Sequence, residues 1–129
     1  MPKIEKFEDI ESWILAKEST RLIYRLSSGG EFSRDYALRD QIRRCSISIM
    51  SNIAEGFERD GDKEFIQFLA IAKGSCGEAR SQLYIALDQK YITEKEFDET
   101  YESLLKTGKL IGGFMRYLQN SSLKGAKFK

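Results

Sequence analysis

The stretch from Gln41 to Phe57, QIRRCSISIMSNIAEGF, places apolar residues at helical spacing on two different faces of one predicted helix. The residues of the first face are Ile42, Cys45, Ile49 and Ile53. The residues of the second face are Ile47, Met50, Ala54 and Phe57. An apolar helix face must be buried against another element, so we expect this helix to be covered on both sides. A second copy of the chain is a natural source of the second cover.

Three further helices are predicted around this one. Gly29 with Gly30, and Asp60 with Gly61, interrupt the helical periodicity and separate the first three helices. Helix four repeats apolar residues in steps of four and three from Phe97, which is typical of helix bundles. The helices are predicted at about 8–28, 36–58, 63–89 and 94–119. The expected fold is all-α, an antiparallel up-down-up-down four-helix bundle in one domain over residues 1–120, with a basic tail at 121–129.

Polar residues at the predicted helix starts are candidate caps. Ser33 and Asp35 are alternative caps for helix two, and Asp62 is the candidate cap for helix three. Thr93 and Glu96 have the spacing of a capping box and predict the start of helix four.

Glycines inside the predicted helices lower their intrinsic stability, by up to about 1 kcal/mol each relative to alanine. They are Gly74 and Gly77 in helix three and Gly108, Gly112 and Gly113 in helix four. We expect a neighbouring element to approach the backbone closely at these positions. The alternative is that they are tolerated weak points.

The charge of the chain is unevenly distributed although its net value is only +1. Residues 55–102 hold twelve acidic and six basic side chains, whereas residues 103–129 hold six basic and no acidic ones. These six are Lys106, Lys109, Arg116, Lys124, Lys127 and Lys129. With Tyr117 and Phe128 nearby they predict contacts to a nucleic-acid backbone and to unpaired bases. The alternative is that they are ordinary solvated lysines and arginines, which also suit a helix C-terminus.

The sequence offers little for catalysis, and we expect no enzymatic activity, metal or cofactor. The chain contains no histidine, no glycine-rich phosphate loop and no recognisable nucleophile motif. Glu55, Glu58 and Glu78 lack the histidines that a di-iron bundle requires. Cys45 and Cys76 are expected to be small core residues. No apolar run reaches the roughly 20 residues that span a bilayer, and the N-terminus lacks the pattern of a signal peptide, so a cytoplasmic location is predicted.

Several polar residues lie beside or between the apolar stripes of helices two and three. They are Arg43, Arg44, Ser46, Asn52, Glu55, Ser75 and Glu78. One interpretation is a buried interhelical network that determines which helices pair and in what register. The other is a binding site for a partner or ligand.

Four segments of the chain resemble one protein family over about residues 7–118. The segments are WILAKESTRLIY, YALRDQIRRCSISIMSNIAEGFER, FLAIAKGSCGEARSQL and YIT. They are similar to the bacterial 23S rRNA intervening-sequence proteins. The resemblance implies an antiparallel four-helix bundle that assembles as a homopentameric ring. A similar accessory protein of diversity-generating retroelements binds nucleic acid through a basic surface, and by this analogy Arg43 and Arg44 join the candidate nucleic-acid contacts.

The leading hypothesis is a non-enzymatic homo-oligomeric scaffold whose partners are further copies of itself and RNA or DNA, with no membrane and no small-molecule substrate. Its candidate nucleic-acid contacts are Arg43, Arg44, Lys106, Lys109, Arg116 and Lys124. Its candidate network or oligomer residues are Asn52, Glu55, Ser75, Glu78, Ile47, Met50 and Phe57. The alternative is a protein–protein interaction adaptor with no nucleic-acid role. A third class, an unrecognised enzyme, has no motif in its favour.

Overall fold

A computed structural model describes residues 3–123 of the chain. Its helices are α1 (Glu11–Leu26), α2 (Tyr36–Glu58), α3 (Asp62–Asp88) and α4 (Glu94–Leu123), with short 3-10 turns at Phe7–Asp9 and Phe32–Arg34. These residues contain no β-strand, so the all-α prediction is confirmed. α1 is shorter than predicted because its first turn is a separate 3-10 turn. α4 continues to Leu123, past the predicted end at 119.

Each helix packs against two others, α1 against α2 and α4, and α3 against α2 and α4. Phe65 at the start of α3 contacts Phe114 late in α4. Tyr84 late in α3 contacts Phe97 at the start of α4. These two helices therefore run antiparallel. None of the helices in residues 3–123 has the length and apolar composition needed to span a bilayer.

The core lies between the four helices and contains the first predicted stripe of α2. Ile42, Ile49 and Ile53 are fully inaccessible to solvent, and Cys45 is 5% exposed. The inner faces of α3 and α4 meet this stripe with apolar side chains that are likewise buried, including Leu69, Leu83, Leu104 and Ile111. Apolar area removed from water in this way is the main favourable contribution to folding.

Hydroxyl groups connect α1 to α4 inside the bundle. The Ser19 hydroxyl lies 2.6 Å from the Ser103 hydroxyl and 3.3 Å from that of Thr107. Thr107 also donates to the carbonyl of Ser103, one turn earlier on its own helix. The contact between α1 and α4 is therefore partly polar.

The structure distinguishes the candidate caps. The Asp35 carboxylate accepts the backbone N–H of Leu38 at 3.1 Å and so caps α2. Ser33 donates to the carbonyl of Gly30 instead. The predicted capping box is confirmed, since Thr93 N–H donates to the Glu96 carboxylate at 2.9 Å and Glu96 N–H donates to the Thr93 hydroxyl at 3.1 Å.

The prediction that Asp62 caps α3 is wrong. Asp62 is the first helical residue, and the cap position is Gly61, whose φ of 93° lies in a region that favours glycine. The helix thus begins one residue earlier than predicted, and Asp62 supplies negative charge in its first turn.

The predicted close approach at glycine holds at some positions and fails at others. A Cβ atom at Gly108 would lie 3.6 Å from Cys76 Cβ on the neighbouring helix. Gly74 has nothing within 4 Å of such an atom, so the expectation of a close neighbour is wrong there and the position is only a weak point of α3. The tightest approach, at Gly56, was not predicted: a Cβ there would lie 2.7 Å from Phe68 Cβ.

Candidate nucleic-acid interface

The exposed cations of α4 form the first part of the candidate interface. Lys106, Lys109 and Arg116 are all exposed, and none of them makes an ion pair among residues 3–123. Lys109 and Arg116 are seven residues apart, which is about two helical turns, so they project from nearly the same side of α4. α4 has no acidic residue after Glu102, and the nearest carboxylates come from α1, where Glu11 lines the same depressions as Lys106 and Lys109.

Lys106 and Lys109 each border a depression between α1 and α4. A cleft of about 270 Å³ near Lys109 has mainly apolar walls that include Ile10, Leu110 and Phe114. A second groove, of about 310 Å³, contains Lys106 together with Arg21 and Glu18. Glu18 pairs with Arg21 in that groove, so the positive charge beside Lys106 is partly compensated.

A lysine of α3 joins Arg116 at the contact between α3 and α4. A Cβ atom at Gly112 would lie 3.3 Å from Lys73 Cε and 3.6 Å from Arg116 Nη1. The two exposed side chains therefore converge above a glycine. The sequence analysis missed Lys73, because it lies in the acid-rich half of the chain and only the packing of α3 against α4 brings it to Arg116.

The two arginines of α2 are placed differently from the cations of α4. Arg43 donates from Nε to the Ser27 hydroxyl at 2.8 Å, and its guanidinium carbon lies 4.4 Å from the centre of the Tyr24 ring. It therefore joins α2 to the C-terminal end of α1. Arg44 is exposed and makes no ion pair in the described part of the chain.

α2 and α4 lie diagonally across the bundle, since neither is a main packing partner of the other. Within one chain, Arg43 and Arg44 are therefore not part of one surface with Lys109 and Arg116. Lys124, the remaining candidate contact, lies outside the described residues.

Part of the predicted polar network forms between α2 and α3. The Asn52 amide donates to the carbonyl and hydroxyl of Ser48, at 2.8 and 3.0 Å. The Ser48 hydroxyl in turn lies 2.9 Å from that of Ser75 on α3. Ser46 is buried, but its hydroxyl donates to the Arg43 carbonyl on its own helix. The interhelical link runs through Ser48, which the sequence analysis did not single out.

Glu55 and Glu78 do not belong to a buried interhelical network, which corrects that interpretation for these two residues. Glu55 is exposed and pairs at 2.8 Å with Arg59, one turn along the same helix. Glu78 is also exposed. Both side chains are exposed because the apolar residues of α2 and α3 occupy the inner faces, so their charges contribute little to stability.

Glu78 does affect a neighbouring thiol. Burial, followed by the charge and hydrogen bonding of Glu78, raises the pKa of Cys45 to about 11. Burial raises the pKa of Cys76 to about 12. Both thiols are therefore protonated at neutral pH and do not have the thiolate character of reactive cysteines. Residues 3–123 hold no cluster of three or more acidic or cysteine side chains that could bind a metal ion.

The second apolar stripe of α2 is partly covered within the chain, by α1 and α3. Met50 Sδ accepts a hydrogen bond from the Thr20 hydroxyl of α1 at 3.4 Å. Phe57 packs edge-on against Phe65 of α3, with ring centroids 6.1 Å apart. α1 and α3 flank α2 on both sides, and so they cover part of this stripe. Ile47, which faces outward between them, stays 45% exposed.

Two isoleucines of α3 are also exposed. Ile71 and Ile85 on α3 are 54% and 47% exposed. They lie fourteen residues apart, with Glu78 midway, and therefore share one side of the helix. Their spacing of fourteen residues, about four helical turns, could have indicated this shared face. The more numerous buried apolar residues of α3 obscure it in the sequence.

Comparison with known proteins identifies related sequences and folds. The model of a family described as 23S rRNA-intervening sequence protein matches residues 8–113. A crystal structure from Bacteroides thetaiotaomicron is described as a protein with unknown function from the S23 ribosomal protein family. It superposes with a TM-score of 0.74 at 21% sequence identity and covers 81% of this chain and 95% of its own. At this identity the likeness shows a shared fold. None of the curated proteins compared with the chain matches it.

Proposed function

The chain belongs to the 23S rRNA-intervening sequence protein family, and from this premise we propose that it is a non-enzymatic homo-oligomeric scaffold that binds RNA. The proposed RNA contacts are basic side chains of α4. The proposed assembly is a ring of identical subunits, and five is the number implied by the family resemblance.

The observation that carries the RNA-binding proposal is the exposed positive charge of α4, which takes part in no ion pair among the described residues. Lys106, Lys109 and Arg116 are exposed, and ion pairs in the described residues involve none of them. Lysine and arginine side chains that contact phosphates release counterions, and this release is the main source of sequence-independent affinity for nucleic acids.

Assembly into a ring would raise the RNA affinity of this surface. One copy offers only a few phosphate contacts, but a ring presents the same contacts several times to one RNA. Linked contacts bind with a high effective concentration, so the affinity of the ring can exceed that of a single subunit by orders of magnitude.

The exposed isoleucines Ile47, Ile71 and Ile85 support self-association. They lie on the outer sides of α2 and α3, away from the core. Exposed large apolar side chains favour burial against another protein surface. In the proposed homo-oligomer, a second copy of this chain buries these isoleucines.

RNA binding is tested by measuring fluorescence anisotropy of a labelled uridine oligonucleotide at increasing salt. We expect binding at low salt and a fall in the logarithm of affinity with the logarithm of salt, with a slope of about −0.7 for each phosphate contacted. A triple variant, Lys106→Gln with Lys109→Gln and Arg116→Gln, is expected to lose most of the affinity.

The matched control replaces three exposed lysines outside α4's basic part, Lys63, Lys90 and Lys95, by glutamine. It removes the same charge and is expected to bind RNA more tightly than the α4 triple variant. Absence of binding at low salt, or equal loss in both variants, contradicts the assignment of α4.

A protein–protein adaptor is the second candidate function, and the exposed isoleucines also favour it. An adaptor would form oligomers of the same kind but would bind no RNA at any salt concentration. The anisotropy titration therefore separates the two candidates.

A further inference from the structure

Lys73 and Arg116 approach each other over Gly112 where α3 packs against α4, and we call this pair of cations the cationic cleft. A Cβ atom built on Gly112 would lie close to both side chains, 3.3 Å from Lys73 Cε and 3.6 Å from Arg116 Nη1. The next residue, Gly113, also lacks a side chain, and a Cβ atom there would lie 3.9 Å from Arg116 Nη2. Two positive side chains thus converge over two adjacent glycines.

No acidic side chain in the described residues pairs with either cation. α4 has no acidic residue after Glu102, and α3 has none between Glu64 and Glu78. Holding two like charges close together without a counterion is unfavourable. The cleft is therefore chemically suited to an anion.

We propose that this cleft binds a single phosphate group of the RNA, held between the Lys73 ammonium and the Arg116 guanidinium. This inference rests on the proposed function and assigns Lys73 as a contact that sequence reasoning did not find. The guanidinium offers paired N–H donors that match two phosphate oxygens, and the ammonium adds a compact charge from the opposite helix.

The proposal also gives a reason for a glycine at position 112, in the interior of α4. Glycine in the middle of a helix lowers its stability by roughly 1 kcal/mol relative to alanine. A side chain at this position would meet Lys73 Cε at 3.3 Å and would displace Lys73. Gly112 is itself buried, so glycine lets the Lys73 stem and the Arg116 guanidinium lie side by side over α4.

The first experiment measures RNA affinity of Lys73→Gln, Arg116→Gln and the double variant with the labelled uridine oligonucleotide. We expect each single variant to weaken binding about fivefold, and the double variant to lower the salt slope by about 0.7, the contribution of the one phosphate that the two side chains share. The double variant is expected to lose less than the product of the two single losses, because both side chains hold the same phosphate. Lys95→Gln, an exposed lysine at the other end of α4, is the charge-matched control and is expected to change affinity less than twofold.

The second experiment changes the shape of the cleft and leaves its charge intact. Gly112→Ala places a methyl group against the end of the flexible Lys73 side chain, and we expect it to weaken RNA binding about threefold without unfolding the helix. Gly74→Ala adds the same methyl group where nothing lies within 4 Å, and it is expected to leave binding unchanged. Equal affinities for wild type, Gly112→Ala and Lys73→Gln overturn the proposed cleft even if the protein binds RNA.

A third measurement tests the cleft without RNA. Titration with pyrophosphate, followed by NMR of the backbone amides, is expected to shift the Gly112 and Gly113 signals in wild type and not in Lys73→Gln. If RNA binding is absent but these shifts occur, the phosphate site stands and the proposed function fails. If RNA binds and pyrophosphate shifts neither glycine, the cleft is wrong and the function stands.

Discussion

Asp35 shows how one side chain can stabilise two parts of the chain. One carboxylate oxygen accepts the Leu38 N–H and caps α2, and the other accepts the Tyr91 hydroxyl at 3.0 Å from the α3–α4 connection. The Tyr91 ring also stacks on Phe32, with centroids 5.5 Å apart. The hydrogen bond to Asp35 raises the pKa of Tyr91 above its ordinary value. Sequence reasoning found Asp35 as a candidate cap, but the contact with Tyr91 depends on how the two loops meet.

Replacing Asp35 is expected to destabilise the protein more than replacing Ser33. Asp35→Ala removes the α2 cap and leaves the Tyr91 hydroxyl without its partner, so we expect a loss of about 1–2 kcal/mol. Ser33→Ala removes an exposed hydrogen bond to Gly30 and is expected to cost less than about 0.5 kcal/mol. Urea unfolding followed by circular dichroism measures both. Equal losses in the two variants would show that Asp35 has no special role.

At the scale of the helices, the spacing of apolar residues and the residues that cap or end helices predicted much of the fold. The bounds of α2 agree with the prediction, because Asp35 before it and Gly61 after it are strong local signals. The second stripe of α2 was correctly found as apolar, but its partial cover by α1 and α3 was not predicted. Local sequence does not say which helices flank a given face. That information lies in the packing of α1 and α3, which contact Met50 and Phe57.

Gly56 is expected to be the least tolerant glycine inside a helix. A Cβ atom there would lie 2.7 Å from Phe68 Cβ and 2.8 Å from Phe65 Cδ1, so α2 and α3 would have to move apart. We expect Gly56→Ala to lower the free energy of unfolding by about 1–3 kcal/mol. Gly74→Ala, in open space, is expected to raise it by up to about 1 kcal/mol. Thermal melts of the two variants should therefore shift in opposite directions, and a Gly56→Ala protein as stable as wild type would contradict the close contact.

At the scale of the whole molecule, the candidate site was only partly predictable. The basic part of α4 follows from charge counts along the sequence. The pairing of Arg116 with Lys73 does not, since the two are 43 positions apart and meet only when α3 packs against α4. Arg43 was grouped with the nucleic-acid contacts by analogy, whereas its bond to Ser27 and its contact with the Tyr24 ring give it a structural position.

The proposed assembly predicts a mass several times that of the 14.9 kDa chain by light scattering. We expect Ile71→Glu to dissociate the oligomer, because it places a charge on the exposed side of α3 that the proposal buries. Ile14→Glu is the matched control, since Ile14 on α1 is 53% exposed and Ile71 is 54% exposed. A monomeric wild type contradicts the assembly. An oligomer that survives Ile71→Glu contradicts the use of this face.

The hydroxyl contacts between α1 and α4 also determine the size of the cooperative folding unit. Ser19 is separated from Ser103 by 84 positions and from Thr107 by 88, so these bonds join the first long helix to the last. Without α4, Ser19 would lose both of its side-chain partners. The packing of α1 is therefore incomplete without α4. Because the first and last helices contact each other, we expect the four helices to unfold together as one cooperative unit.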